Sequence, residues 1–173
     1  MTSTWEDTAS AAGHRLRRFG RRKFDQQPTQ PAEVLIAAPM GEPIPPAAVR
    51  AALARRAGGA VAVVTIARIY GSSMGLPNPG LMPTRKEMAA QKSQVEKALR
   101  LIEKGGAEAW GQVAASRKPV KTVAQAAKAR GVRHVIVVRT PHSKRWREVV
   151  EGDIVKDIAR KLGSTVGVEG VSP

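Results

Sequence analysis

The sequence predicts an α/β fold in which five parallel strands form one doubly wound sheet with helices on both faces. Residues 33–38, 60–66 and 134–138 are short, continuous apolar runs, which are typical of strands buried on both faces. Segments with helical spacing of apolar residues separate these runs, and this alternation indicates a parallel sheet. Ligands of such sheets bind beyond the carboxyl ends of the strands, so we expect a site after Ala38, Ile66 and Val138.

The first half of the domain is predicted to contain a strand, a helix, a second strand and a second helix, in that order. Residues 33–38 (EVLIAA) are the first strand, and the helix over 45–59 opens with proline and stops at a glycine pair. Residues 60–66 (AVAVVTI) are the second strand. After a Gly/Pro loop over 70–83, a helix over 84–106 begins with a Thr-x-x-Glu capping box and ends at two glycines.

The second half repeats the alternation and ends on a strand. Residues 107–115 (AEAWGQVAA) are strand-like, and the helix over 119–131 has proline at its start and glycine at its end. Residues 134–138 (HVIVV) are an apolar strand, and 152–163 are an amphipathic helix. Residues 164–171 (STVGVEGV) alternate at period two, as in a strand at a sheet edge.

Composition excludes several classes of protein. The 173 residues contain no cysteine, and the three histidines, His14, His134 and His142, are too far apart in sequence to suggest a metal site. We find no catalytic constellation of residues and predict that the protein is not an enzyme. The chain lacks an apolar run of the roughly 20 residues that span a membrane, and it lacks a secretory signal. A cytoplasmic protein is therefore predicted.

Residues 1–32 are predicted to be a basic, disordered tail that precedes a domain over 33–173. The segment HRLRRFGRRK is dominated by arginine and lysine, and QQPTQP then breaks any helix. A basic arm that binds RNA or DNA is the alternative interpretation of this segment.

The net charge of +15 favours an anionic partner such as RNA or the ribosome. The alternative is that this charge only keeps the protein soluble, and both interpretations stay open. Residues 117–147 hold ten Lys and Arg side chains and no Asp or Glu. The candidate anion-binding residues are Arg117, Lys118, Lys121, Arg139, Lys144, Arg145 and Arg147.

The segment RTPHSKRWREVVEGD (139–153) follows the fourth predicted strand. Its length, the order of the strands and the long second helix resemble the universal stress protein family over residues 33–171. The resemblance implies a Rossmann-like, adenine nucleotide alpha hydrolase-like sandwich. It also implies a nucleotide site in which an aspartate ends the first strand. After the fourth strand, that family has a glycine, two further residues, a second glycine, nine residues, and then Gly-Ser or Gly-Thr. The matching positions here are Pro39, Arg139, His142, Ser143, Gly152 and Asp153.

The loop has the family's length, but the residue type differs at four of the five motif positions, since only Gly152 matches and Pro39, Arg139, His142 and Asp153 do not. Glycine allows close backbone approach to phosphate, whereas Arg139 and His142 add bulk. Asp153 is predicted to bond the amides of the following helix, and Pro39 offers no acceptor for a ribose. We therefore predict that the family's ATP-binding mode is lost and that the protein needs no cofactor. Weak ATP or AMP binding through the basic side chains of the loop is the alternative.

The resemblance also implies a homodimer. In that family the final strand commonly pairs across a two-fold axis, and here that strand, over 164–171, is predicted at a sheet edge. An edge guarded by Glu169 in a monomer is the alternative.

Overall fold

A computed structural model describes residues 31–69, 82–139 and 153–172 of the chain. Strands and helices alternate along these residues. The strands are β1 (Ala32–Ala38), β2 (Ala60–Arg68), β3 (Ala109–Ser116), β4 (His134–Val138) and β5 (Gly167–Val171). The helices are α1 (Pro46–Arg55), α2 (Arg85–Lys104), α3 (Pro119–Arg130) and α4 (Ile154–Leu162).

The five strands form one sheet in the order β3-β2-β1-β4-β5, and every neighbouring pair is parallel. This topology confirms the predicted fold class. The central strand is β1, where Leu35 lies beside Ala62 of β2 and Val135 of β4. Its position explains why its apolar run is uninterrupted, since both faces and both edges of the strand are covered.

Two helices cover each face of the sheet. On one face, α1 and α2 bury Val49, Leu99 and Ile102 against strand residues such as Val63. On the other face, the core of α3 and α4 includes Val123, Ala127, Ile158 and Leu162, and Val64 points towards it. Successive residues of one strand therefore serve opposite layers, as the period of two requires.

The limits of most elements agree with those predicted to within two residues, and two elements differ by more. Helix α1 ends at Arg55, because the chain is extended at Arg56 and Gly58 then takes a φ of 129°. Strand β5 begins only at Gly167, because Gly163 with φ 78° leads into a turn. The capping box of α2 is confirmed: Glu87 N donates to Thr84 Oγ1 at 3.2 Å, and Thr84 N donates to Glu87 Oε2 at 2.6 Å.

The predicted tail lies almost wholly outside the described residues, which begin at 31, and β1 starts at Ala32. Among the helices that the structure describes, none is both long and apolar enough to cross a membrane.

Candidate functional site at the carboxyl edge of the sheet

Strands β1 and β4 lead to helices on opposite faces of the sheet, which makes their carboxyl ends a switch point. These strands are neighbours in the sheet, but β1 leads to α1 on one face and β4 leads to α4 on the other. Crevices at such a switch point are the usual ligand sites of doubly wound sheets. Pro39 and Arg139 are the residues directly after the two strands, so both lie at this switch point.

A tight turn follows β1. Gly41 N donates to Ala38 O at 3.2 Å, and Gly41 has a φ of 74°, which a side chain would strain. The buried carboxylate of Glu42 accepts a hydrogen bond from Met40 N at 2.9 Å. Pro39 is buried within this turn and carries no polar side-chain atom.

Asp153 caps the amino end of α4, as the sequence predicts. Its Oδ1 accepts hydrogen bonds from Val155 N at 3.1 Å and from Lys156 N at 3.4 Å. The amides at the start of a helix are the groups that hold phosphate in many nucleotide sites. Here the protein's own carboxylate bonds two of them.

The electrostatics of Asp153 favour its charged form. Burial raises the pKa of the Asp153 carboxyl. The amide hydrogen bonds of Lys156 and Val155, with the positive charges of Lys156 and Arg139, outweigh burial and lower the pKa overall. Lys156 Nζ also lies 3.5 Å from Asp153 Oδ2. The carboxylate of Asp153 therefore lies beside positive charges that stabilise its ionised form.

Replacing Asp153 with alanine is expected to lower the free energy of unfolding by about 0.5–2 kcal/mol at neutral pH, because two helix amides lose their partner. The folded-state pKa of Asp153 is lowered, so its contribution is full above the unfolded pKa of about 3.9 and disappears as pH falls through the folded value. Urea unfolding of both proteins between neutral and acidic pH measures the difference, which should shrink below about pH 4.

Asp157→Ala is the matched control, since Asp157 lies in the same first turn but pairs with Arg160 at 3.2 Å. Its effect should be smaller, because exposed pairs of this kind contribute about 0.3–0.5 kcal/mol. An equal loss in both variants would contradict a capping role for Asp153.

The side chain of Arg139 lies across β5. A Cβ on Gly170 would stand 2.7 Å from Arg139 Cδ and 3.1 Å from Val155 Cγ2. Arg139 N donates to Val171 O at 2.8 Å, so its backbone continues the pairing between β4 and β5. Glycine at position 170 therefore makes room for the alkyl chain of Arg139 beside the start of α4.

Three predicted anion-binding residues, Arg117, Lys118 and Lys121, lie together where β3 leads into α3. They line an open depression of about 530 Å³. Ser116 Oγ, at its base, accepts hydrogen bonds from Lys118 N at 3.0 Å and from Thr122 Oγ1 at 2.7 Å. We call Arg117, Lys118 and Lys121 the basic cluster.

The basic cluster is separated from Arg139 by the width of two strands. Strands β2 and β1 lie between β3 and β4, which puts the ends of β3 and β4 about 14 Å apart at ordinary strand spacing. Six other predicted site residues lie outside the residues that the structure describes. They are His142, Ser143, Lys144, Arg145, Gly152 and Arg147.

Sequence reasoning did not single out Glu42, Thr65, Gln91 or Gln94, which contribute buried polar atoms near this edge. Gln91 Nε2 donates to Gly41 O at 2.9 Å and so ties α2 to the turn after β1. The sequence does contain a signal for the two glutamines: Gln91 and Gln94 are three residues apart, as on one face of a helix, and directly precede the apolar face of α2. Within the described ranges, no group of three or more His, Asp or Glu residues is placed to hold a metal.

No model of a known protein family matches the chain, and no curated protein matches it in sequence. Solved structures do match. A universal stress protein in complex with cAMP aligns with a TM-score of 0.57 at 16% identity, over 83% of this chain and 98% of that one.

A universal stress protein from Archaeoglobus fulgidus aligns with a TM-score of 0.55 at 16% identity, over 82% of this chain and 92% of that one. The Archaeoglobus fulgidus protein in complex with dAMP aligns with a TM-score of 0.51 at 16% identity, over 82% and 96% of the two chains. The topology and these alignments agree with the sequence pattern: the chain has the fold of the universal stress proteins.

Proposed function

We propose that the protein is a non-enzymatic binding protein of the universal stress type, which acts through a partner and has lost the nucleotide-binding mode of that family. The observation that carries this proposal is the cap on α4. The carboxylate of Asp153 accepts hydrogen bonds from two amides that a phosphate would otherwise use.

Charge supports the same conclusion. A phosphate that approached the start of α4 would meet the negative carboxylate of Asp153 at a few ångströms. At effective dielectrics between water and a protein surface, that repulsion costs about 1–4 kcal/mol. The positive charge of Arg139 does not cancel this repulsion. Its alkyl chain lies over Gly170, and its charge already stabilises the carboxylate of Asp153.

The nucleoside end of the crevice is also altered. Pro39 stands where the resembling family has an aspartate, and it is buried in the turn after β1 without a side-chain acceptor. A ribose at this position would find no carboxylate on residue 39, and the carboxylate of Glu42 in the same turn already accepts a hydrogen bond from Met40 N. Both ends of a nucleotide therefore lack the partners that the family's binding mode uses.

Titration with ATP, AMP and cyclic AMP tests the proposal. We expect millimolar nucleotide to leave the melting temperature unchanged, because a ligand raises it only by binding the folded state. The Asp153→Ser variant keeps a capping oxygen but removes the negative charge, so any gain of binding in this variant would locate the block at Asp153. A universal stress protein with the intact glycine motif serves as the positive control. Stabilisation of the unaltered protein by any of the three nucleotides would refute the proposal.

A second candidate function is binding of an anionic partner such as RNA or the ribosome through the basic cluster. The supporting observation is that Arg117, Lys118 and Lys121 line one depression beside the amino end of α3. Cations clustered on one surface are the electrostatic footprint of a nucleic-acid-binding protein.

We further propose that the protein is a homodimer in which β5 pairs with its copy across a two-fold axis. Strand β5 is at the edge of the sheet, and its backbone groups on the outer side face no other strand among the described residues. Glu169 turns away from that edge to pair with Arg55 at 3.0 Å, so it does not obstruct pairing. Light scattering should give twice the mass of the chain, and a monomer at high concentration would contradict the proposal.

A further inference from the structure

The depression beside α3 has two walls of different chemistry. One wall is the basic cluster, and the other is formed by Ile69, Met82 and Ala115. Met82 is 48% exposed, so its side chain is available to a ligand. Among the described residues, those that line the depression include no acidic side chain. A ligand that fits both walls is therefore negative at one end and apolar along its body.

The depression gathers the three cations of the basic cluster around one volume. Ser116 Oγ accepts hydrogen bonds from Lys118 N and Thr122 Oγ1, which fixes the backbone where β3 leads into α3. The volume of about 530 Å³ lies within the roughly 300–1,000 Å³ of small-ligand pockets. The depression therefore has room for one group of the size of a nucleotide.

The grouping of these cations favours one kind of anion. Each phosphodiester of a nucleic-acid backbone carries one negative charge, and a groove that follows a strand spreads its cations along that strand. A terminal phosphomonoester carries about 1.5–2 negative charges near neutral pH and has three strong acceptor oxygens. The three positive charges around the depression thus match one terminal phosphate together with the phosphodiester next to it.

The apolar wall suits the base that follows such a phosphate. Methionine side chains adapt to the shape of an apolar ligand, and Met82 lies beside Ile69 on this wall. Gln125 also lines the depression, and its amide can both donate and accept hydrogen bonds, as the edge of a base does. A long acyl chain would instead need an enclosed apolar channel, whereas this depression is open.

We propose that the depression binds the phosphorylated end of single-stranded RNA, with the terminal phosphate at the basic cluster and the terminal base against Ile69 and Met82. This inference rests on the second candidate function and specifies which part of the RNA the basic cluster contacts. A free mononucleotide has a terminal phosphate but lacks the neighbouring phosphodiester and the rest of the strand. It is therefore expected to bind far more weakly.

Fluorescence anisotropy with a short, internally labelled oligoribonucleotide tests the proposal when phosphate is on its 5′ end, its 3′ end or neither end. We expect one phosphorylated form to bind about tenfold more tightly than the unphosphorylated form. Lys121→Gln should reduce this preference several-fold. Lys128→Gln removes the same charge two turns further along α3, outside the depression, so it should weaken all three forms alike and keep the preference.

The results also separate this inference from the function on which it rests. Equal affinity for all three forms, or a preference that Lys121→Gln leaves undiminished, would overturn the proposal while the second candidate function still stands. Failure to bind any form would exclude both. Competition by millimolar AMP as strong as that by the phosphorylated strand would assign the depression to a free mononucleotide, and would also overturn the proposal.

Discussion

Replacing Trp110 with alanine is expected to lower the free energy of unfolding by about 3–5 kcal/mol, the usual cost of deleting a large buried aromatic side chain. Trp110 is 6% exposed, although β3 is an edge strand. Its ring packs in the core beneath α3, and the guanidinium of Arg130 stacks 4.0 Å from the ring centre. Equilibrium urea unfolding, followed by circular dichroism, measures the loss.

The position of Arg130 adds to this effect. Arg130 Nη2 donates to Gln112 Oε1 at 3.0 Å and Nη1 donates to Ala126 O at 3.0 Å, so the guanidinium is held over the ring from both β3 and α3. Without the ring, the partly buried charge would face a cavity. A cation stacked on tryptophan contributes about 0.5–2 kcal/mol.

Trp110→Phe is the matched control. It keeps an aromatic face for Arg130, and the lost indole nitrogen has no hydrogen-bond partner among the described residues. The phenylalanine variant should therefore lose much less stability than the alanine variant. Equal losses would mean that neither the ring volume nor the aromatic face that phenylalanine retains stabilises the fold, and would contradict the prediction.

Replacing Arg117, Lys118 and Lys121 together with alanine is expected to weaken binding of single-stranded RNA about 100-fold near 0.1 M salt, if the second candidate function is correct. Each phosphate contact to a single strand contributes about 0.7 to the slope of log affinity against log salt, so the slope should fall by about 2. Fluorescence anisotropy with a labelled oligonucleotide across a salt series gives both values.

A triple variant of Lys86, Lys97 and Arg100 in α2 removes the same net charge from the opposite face of the sheet. These side chains are exposed, so the fold should tolerate the change. If this control weakens RNA binding as much as the first variant, attraction depends on total charge and not on the basic cluster. A flat salt slope for the unaltered protein would exclude the second candidate function.

The fold was predictable because its signals are local. The capping box at Thr84, the glycine after α3 and the uninterrupted apolar run of β4 each identify an element from a few neighbouring residues. Right-handed crossovers then restrict how such elements assemble. The cap at Asp153 is local in the same sense, because the carboxylate bonds amides two and three residues ahead.

The remaining features of the candidate site depend on contacts between distant parts of the chain. Arg139 meets Gly170 only because β4 and β5 are neighbours, and Trp110 meets Arg130 only because α3 crosses back over β3. The hydrogen bond from Gln91 Nε2 to Gly41 O needs the register of α2 on the sheet. Hydrophobic periodicity carries no information about such registers, so these contacts could not be predicted from one sequence.

The side chain of Asp153 occupies the amides at the start of α4 as an intramolecular ligand. An acceptor joined to its own helix has a fixed local concentration, whereas a free nucleotide must compete with it from solution. The start of α4 would thus remain in one state whether adenylates are abundant or exhausted in the cell. If nucleotide binding is lost as proposed, the protein would not gauge the energy supply at this position, and a signal that it conveys would enter through another surface.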